Sequence, residues 1–414
     1  MRRIPFRSSV ILFLPSALAA PVAAQGPIFQ TPGTPVYPAK PADSGGESGQ
    51  ADRFASVFNP AFSFLVDAVA DYVDFERSSD PSGFDADLRV LEAAAQAWVD
   101  PNAWAYFVGA SEAEGLAIEE AAIHYVGFGN STLRAGRFFI DFGKQMQTHV
   151  HELRTLARPL VLRAYLGQEV KGDGVQWDHW LPVGDEAAVR WSLGIFSGLV
   201  PEEAEFASGG VSQELAERKD FGELNFTARV TAFGDVGSHG TWQLGASARA
   251  IPDYTAVDAV NALRQDGLES TVFGADLTYG WVDDTGQERV TFGVEALVSS
   301  GDTGFDVVDP DTTPGTGDET LVVLDDSVFG AYVFADYAWD RFHSGGVQFS
   351  AAEISDAAGS DVSELELYFT RWLSEFHRLR FVVASSEDDT RADALRFAVQ
   401  YTGIVGAHGH GVNW

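Results

Sequence analysis

Two histidines and a glutamate in "THVHE" (His149, His151, Glu152) are residue types that bind metal through imidazole nitrogen and carboxylate oxygen. They are candidate zinc ligands, although two ligands separated by one residue rarely define a site by themselves and the HExxH helix pattern is absent. A second pair, His408 and His410, lies in the closing "GAHGHGVNW" and offers remote additional ligands. The run "DTGFDVVDPDTTPGTGDE" (Asp302 to Glu319) carries oxygen ligands suited to calcium but lacks EF-hand spacing. It reads as a solvated acidic loop that divalent ions can bridge to neighbouring lipopolysaccharide. No other cofactor is called for. No GxSxG or comparable nucleophile motif is present, so no enzyme is expected.

A row of charges is the other candidate set. Arg190, Arg229, Arg249, Arg380 and Arg396, with Glu295, Glu364 and Glu366, occupy the polar side of segments whose opposite side is apolar. Those segments alternate with period two. Val290, Phe292, Val294, Ala296 and Val298 face away from Thr291, Gly293 and Glu295, and Leu395, Phe397, Val399 and Tyr401 face away from Arg396, Ala398, Gln400 and Thr402. Such alternation is a strand with one apolar and one wet face.

About sixteen such segments of roughly ten residues follow Asn59, the length of a tilted membrane-crossing strand. They begin near Phe62, Phe84, Ala103, Ile118, Leu133, Val175, Ala187, Leu224, Trp242, Val272, Val290, Val328, Phe342, Leu365, Leu379 and Leu395. Their joins alternate in length. "DPN", "FGNST", "PVGDE", "GDVGSHG", "DDTGQ", "WDR" and "SEFHR" are short. Lys144–Gly174, Pro201–Gly222, Pro252–Ser270 and Ser300–Asp326 are long. Short turns at one end and long loops at the other are expected of a transmembrane antiparallel β-barrel of about 16 strands, of outer-membrane type. Trp104, Tyr106, Trp191, Tyr279, Trp281, Tyr332, Trp339 and Tyr401 lie near strand ends, where interfacial girdles are expected.

Composition agrees. The chain has 414 residues, no cysteine and a formal charge of -33, which excludes disulfides and thiolate metal sites and argues against nucleic acid as a partner. The opening "MRRIPFRSSVILFLPSALAAPVAAQ" has a basic start, an apolar stretch and small residues, so residues 1–24 read as a signal peptide directing export. Residues 25–58, rich in Pro, Gly, Ser and Gln, read as a flexible lead-in. Residues 59–414 are the expected barrel.

"VDPNAWAYF", "IEEAAIHYV", "LRAGRFFIDFGKQMQTHVHELRTLARPLVLRAYLG", "DGVQW" and "QYTGIVGAHGHGVNW" resemble a family of bacterial outer-membrane proteins, described as porin-like or as zinc-regulated and TonB-dependent-receptor-like. "GRFFIDFG" is also similar to the GxFxxxFG strand of phosphate-selective porins. Receptors of that kind carry a plug domain before the barrel, and only the lead-in precedes this one. The resemblance therefore implies a pore without its own plug in the bacterial outer membrane.

The expected function is a channel for passive or weakly selective passage of small solutes or ions, with the charged residues above lining the pore. One alternative is a plugless receptor-like barrel that binds or imports metal ions or their complexes. Another is a structural or adhesive surface barrel. Lys144–Gly174 is too apolar for an external loop, with Leu153, Leu156, Leu160 and Leu162 at helical spacing broken by Pro159, so it is expected to fold inward. Tyr401, Val412 and Trp414 are the expected terminal signal for the barrel-assembly machinery. Outer-membrane lipid and lipopolysaccharide are the other expected partners, and oligomeric state is left open.

Overall fold

The computed structural model describes residues 61–406, apart from 77–81, 113–114, 185, 200–210, 216–219, 260, 309–318, 375 and 390–391. The expected signal peptide and lead-in, and His408, His410, Val412 and Trp414, lie outside the described residues.

Sixteen strands close one antiparallel ring, and a short extra strand lies against its rim. The first seven are β1 (Ala61–Phe75), β2 (Gly83–Asp100), β3 (Ala103–Glu112), β4 (Gly115–Phe128), β5 (Ser131–Phe139), β6 (Lys171–Val183) and β7 (Ala187–Phe196). Among the described residues the short strand β8 (Val211–Glu214) pairs with the outer end of β10 (Gly240–Asp258). The ring passes from β7 directly to β9 (Asn225–Val236), then through β10 and β11 (Leu263–Val282). It continues through β12 (Arg289–Val308), β13 (Thr320–Asp340), β14 (His343–Glu353), β15 (Asp361–Ser374), β16 (His377–Asp388) and β17 (Ala394–Gly406). β17 then pairs with β1 from Ser63↔Gly406 to Phe75↔Ala394. Closure leaves no strand edge, which is what lipid demands of a spanning sheet.

The alternation read from sequence sorts the two faces. Phe64, Phe107, Trp191, Phe273, Phe329, Phe349, Leu367 and Phe397 are exposed on the outside. Between them Asp67, Glu92, Arg134, Gln176, Arg190, Arg229, Asp276, Glu295, Gln348, Glu366 and Gln400 are buried on the inside. An apolar outer belt around a polar interior makes this an outer-membrane barrel, and places it in the bacterial outer membrane.

Three expectations need correction. The segments 252–270 and 300–326 are mostly strand and not loop: β10 and β11 run to Asp258 and from Leu263, and β12 and β13 run to Val308 and from Thr320. These strands are 19 to 21 residues long, about twice what crosses the bilayer, so the hairpins stand out beyond the belt. Their alternation was masked by Pro252, by dense acidic residues and by register shifts around Tyr254. Trp104 and Tyr332 are buried inside the barrel and not in a girdle, and Tyr106 turns inward to donate to Glu120 at 2.7 Å. Their position in the pleat, opposite Phe107 and Phe329, decides this. The outer girdle is instead clear at Trp339, which stacks on Phe369 at 5.8 Å, with Phe381 6.2 Å further along.

A candidate constriction inside the barrel

Between β5 and β6 the chain leaves the wall and crosses the lumen. Phe139 pairs with Lys171, and Ile140 donates its backbone N–H to Val170 at 3.0 Å, so the excursion opens and closes at one point. Phe142, Met146, Leu160, Val161, Leu162 and Leu166 are buried against inward wall residues such as Leu297, Tyr332 and Phe334. Their burial is the hydrophobic drive that the sequence pattern anticipated. The helical spacing is only partly realised. Pro159 stands just ahead of a single helix, α1 (Leu160–Tyr165), so Leu153 and Leu156 dock from non-helical chain.

The turn into the lumen needs a glycine. Gly143 has φ +56°, and a Cβ there would sit 1.8 Å from Glu295 Oε1. Its N–H donates to Ser247 Oγ at 3.0 Å, and the next N–H, of Lys144, donates to Glu295 Oε2 at 3.0 Å. Further along, Leu156 N–H donates to Glu366 Oε1 at 2.7 Å and Val161 N–H donates to Ser350 Oγ at 3.0 Å. Arg163 reaches Glu364 Oε2 at 2.8 Å, and Arg380 donates to the Thr155 carbonyl at 2.9 Å. Arg378 donates to the carbonyl of His151. The loop is thus held by wall strands on several sides of the lumen. Apart from the Arg163–Glu364 pair, each of these bonds also satisfies a backbone group of the loop.

The charges singled out in the sequence fall into three situations. Glu295, Glu364, Glu366 and Arg380 bind the inward loop directly, as above. Arg190 donates to Asp141 in the first turn of the loop, and Arg229 lies 3.6 Å from the same carboxylate while pairing with Asp276 at 2.7 Å. Arg249 is buried but donates to Ser270 Oγ at 2.9 Å, and Arg396 pairs with Asp71 at 2.6 Å near a solvated end of its strand. Tyr401 is on the outer face, its hydroxyl 2.7 Å from His377 Nδ1. Sequence reasoning missed Ser247, Ser350 and Arg378, because the donor or acceptor they serve is a backbone group chosen by the path of the loop, and Asp141, whose arginine partners lie on distant strands.

Burial and the Arg154 charge push the Lys144 ammonium, in the loop, down to about 7 against the pull of Asp276 and Glu295. His149 differs. Burial would lower its pKa, but the Glu119, Glu120 and Glu92 carboxylates outweigh burial and hold it well above the ordinary histidine value.

Those carboxylates form the second cluster. His149 Nδ1 is 3.3 Å from Glu119 Oε1 and 3.7 Å from Glu92 Oε2, and its Nε2 is 2.9 Å from Glu120 Oε1. His151 Nδ1 is 3.6 Å from the same Glu92 oxygen. The structure therefore brings together His149 and His151 as expected, but with Glu92 and not with Glu152. A readable signal was present in "IEEAAIHY". Two adjacent glutamates in a lipid-facing strand cannot both point inward unless the strand bulges. The pairing of β3 with β4 shifts there, from Val108↔Glu120 to Gly109↔Ile118, and both Glu119 and Glu120 are buried.

Fold and lumen together define a sixteen-stranded outer-membrane barrel of porin type with a segment of its own chain folded into the lumen. Solved structures share the barrel fold. An anion-selective porin from Comamonas acidovorans aligns with a TM-score of 0.52 at 11% identity, over 84% of this chain and 99% of its own. OprB of Pseudomonas putida gives 0.52 and 11%, over 84% and 94%, and the outer membrane channel DcaP of Acinetobacter baumannii gives 0.51 and 11%, over 84% and 97%. At this identity the likeness is one of fold. No family model and no curated protein matches the sequence, so the receptor-like part of the resemblance gains no support.

Proposed function

We propose that the protein is an outer-membrane channel for small hydrophilic solutes, with residues 140–170 as a fixed constriction. One observation carries this reading: the loop is fastened to the lumen wall at successive points along its length, from Gly143 to Arg163. A loop that served only to cover the mouth would gain nothing from acceptors placed inside the ring on β10, β12, β14 and β15. A barrel of about sixteen strands is wide enough to leave an aqueous path beside such a loop. Passage then depends on size and on the charges the loop leaves facing water, without a gate that must unfold.

Liposome swelling tests it. Vesicles holding the folded protein should admit small sugars and amino acids at rates that fall steeply with solute size. Vesicles that swell no faster than protein-free ones would defeat the proposal. The alternative of a receptor-like metal binder has one observation in its favour, the histidine–carboxylate cluster, which is compatible with a channel as well.

A further inference from the structure

We propose that Glu92, His149 and His151, with Glu119 beside them, bind a divalent transition metal of the zinc class, and that the ion ties the inward loop to the barrel wall. The donor atoms of Glu92, His149 and His151 all lie within 4.8 Å of one another, and all three residues are buried. A zinc ion with bonds of about 2.0–2.1 Å in a tetrahedron sets neighbouring ligand atoms roughly 3.3–3.4 Å apart. The histidine–carboxylate gaps are 3.3 Å to Glu119 and 3.6 and 3.7 Å to Glu92, and no gap among Glu92, His149 and His151 exceeds 4.8 Å, so side-chain movements of an ångström or so close the set around an ion.

The surroundings are those of a ligand set. Val150–Glu152 forms a 3-10 turn directly after His149, and in that turn the two imidazoles lie 5.5 Å apart. Glu120 Oε1, at 2.9 Å, is placed to accept the Nε2–H of His149, which leaves the Nδ1 lone pair toward Glu92 and Glu119. A carboxylate behind a metal-bound histidine is the usual outer-sphere arrangement. Arg378 holds the His151 carbonyl and Arg89 lies 3.5 Å from the Val150 carbonyl, so the turn is fixed from the wall. The bulge at Glu119 turns a carboxylate that alternation would send into lipid toward the same point. Two imidazoles with carboxylates suit zinc and its neighbours, whereas calcium prefers oxygen alone. The ion would join β2, through Glu92, to the loop 57 residues further on, reckoned from Glu92 to His149. A proton shared between His149 and its glutamates is the competing occupant, and it gives Glu92 and His151 no joint task.

The test uses the full chain, extracted folded from membranes with a tag that contains no histidine. Elemental analysis after dialysis against trace zinc should find one zinc per chain, and cobalt added to the chelator-treated protein should give visible d–d absorption. Glu92→Gln and His151→Ala should each lower affinity at least about tenfold while heat-modifiable folding is retained. Should those variants fail to fold, wild-type barrel treated with chelator should still show a loop more readily cut by protease, restored by zinc. The paired change His408→Ala with His410→Ala should leave binding intact. Blank-level metal, or metal lost with the terminal pair and kept by the Glu92 and His151 variants, would overturn the proposal.

Discussion

The carboxylate of Glu295, on β12, accepts the backbone N–H of Lys144 at 3.0 Å, although 151 residues separate them in the chain. It also accepts the Tyr332 hydroxyl at 2.7 Å, and it occupies the space a side chain at Gly143 would need. One side chain therefore both receives the loop and limits its path. Glu295→Gln, which keeps an acceptor oxygen, should change little. Glu295→Ala leaves two buried donors without an acceptor, at a cost of about 1–3 kcal/mol each. Gly143→Ala adds backbone strain and a collision. Limited proteolysis of the folded barrel should cut within 140–170 faster in Glu295→Ala and Gly143→Ala than in wild type, and equal rates in all would remove Glu295 from this role.

Phe349 and Gln348 are neighbours on β14 with opposite surroundings, the first 45% exposed on the outside and the second 2% exposed within. Placing arginine at Phe349 puts charge into the apolar belt near mid-strand, at about 2–4 kcal/mol. Urea unfolding in lipid vesicles should show a loss of that size for Phe349→Arg and a much smaller one for Phe349→Leu. If the two variants unfold together, the outer face does not meet hydrocarbon.

Lys144 carries a sign that can be checked. Its folded value is about 7 and its ordinary value 10.5, so between those two the unfolded chain binds a proton that the folded one does not. Stability from this group therefore rises with pH across that window. Lys144→Met removes the linkage. The variant should be more stable than wild type at pH 7 and lose that advantage by about pH 10. A stability difference independent of pH would show that Lys144 is solvated.

Topology follows from the ring. Epitope tags placed between β12 and β13 should be reached by antibody on intact cells, and tags in the "PVGDE" turn between β6 and β7 only after permeabilisation. Labelling of both or neither on intact cells contradicts the assigned orientation.

Much of this barrel was legible before its coordinates. Each of the sixteen expected segments coincides with a ring strand because alternation and turn residues act locally, and every strand needs the same two faces. The inward loop was legible too, since Leu160 and Leu162 have nowhere else to hide. What stayed hidden depends on distant pairs. Nothing around Ser350 says that Val161 will need an acceptor there, and nothing around Glu92 points to His149. Trp104 was misplaced because an aromatic near a strand end suits either face, and only its parity with Val108 decides. On β4 the bulge at Glu119 shifts the alternation by one, which period-two counting cannot absorb.

Single-channel recording in planar bilayers reads whether the loop narrows a conducting lumen. Because Phe139 pairs with Lys171, residues 141–169 can be replaced by a short turn without breaking the β5–β6 ladder. Wild type should show discrete openings and the shortened barrel a severalfold larger conductance, with Glu295→Ala noisier than wild type at similar amplitude. Absence of openings in wild type and shortened barrel alike, with both shown to be folded, would contradict the proposed channel.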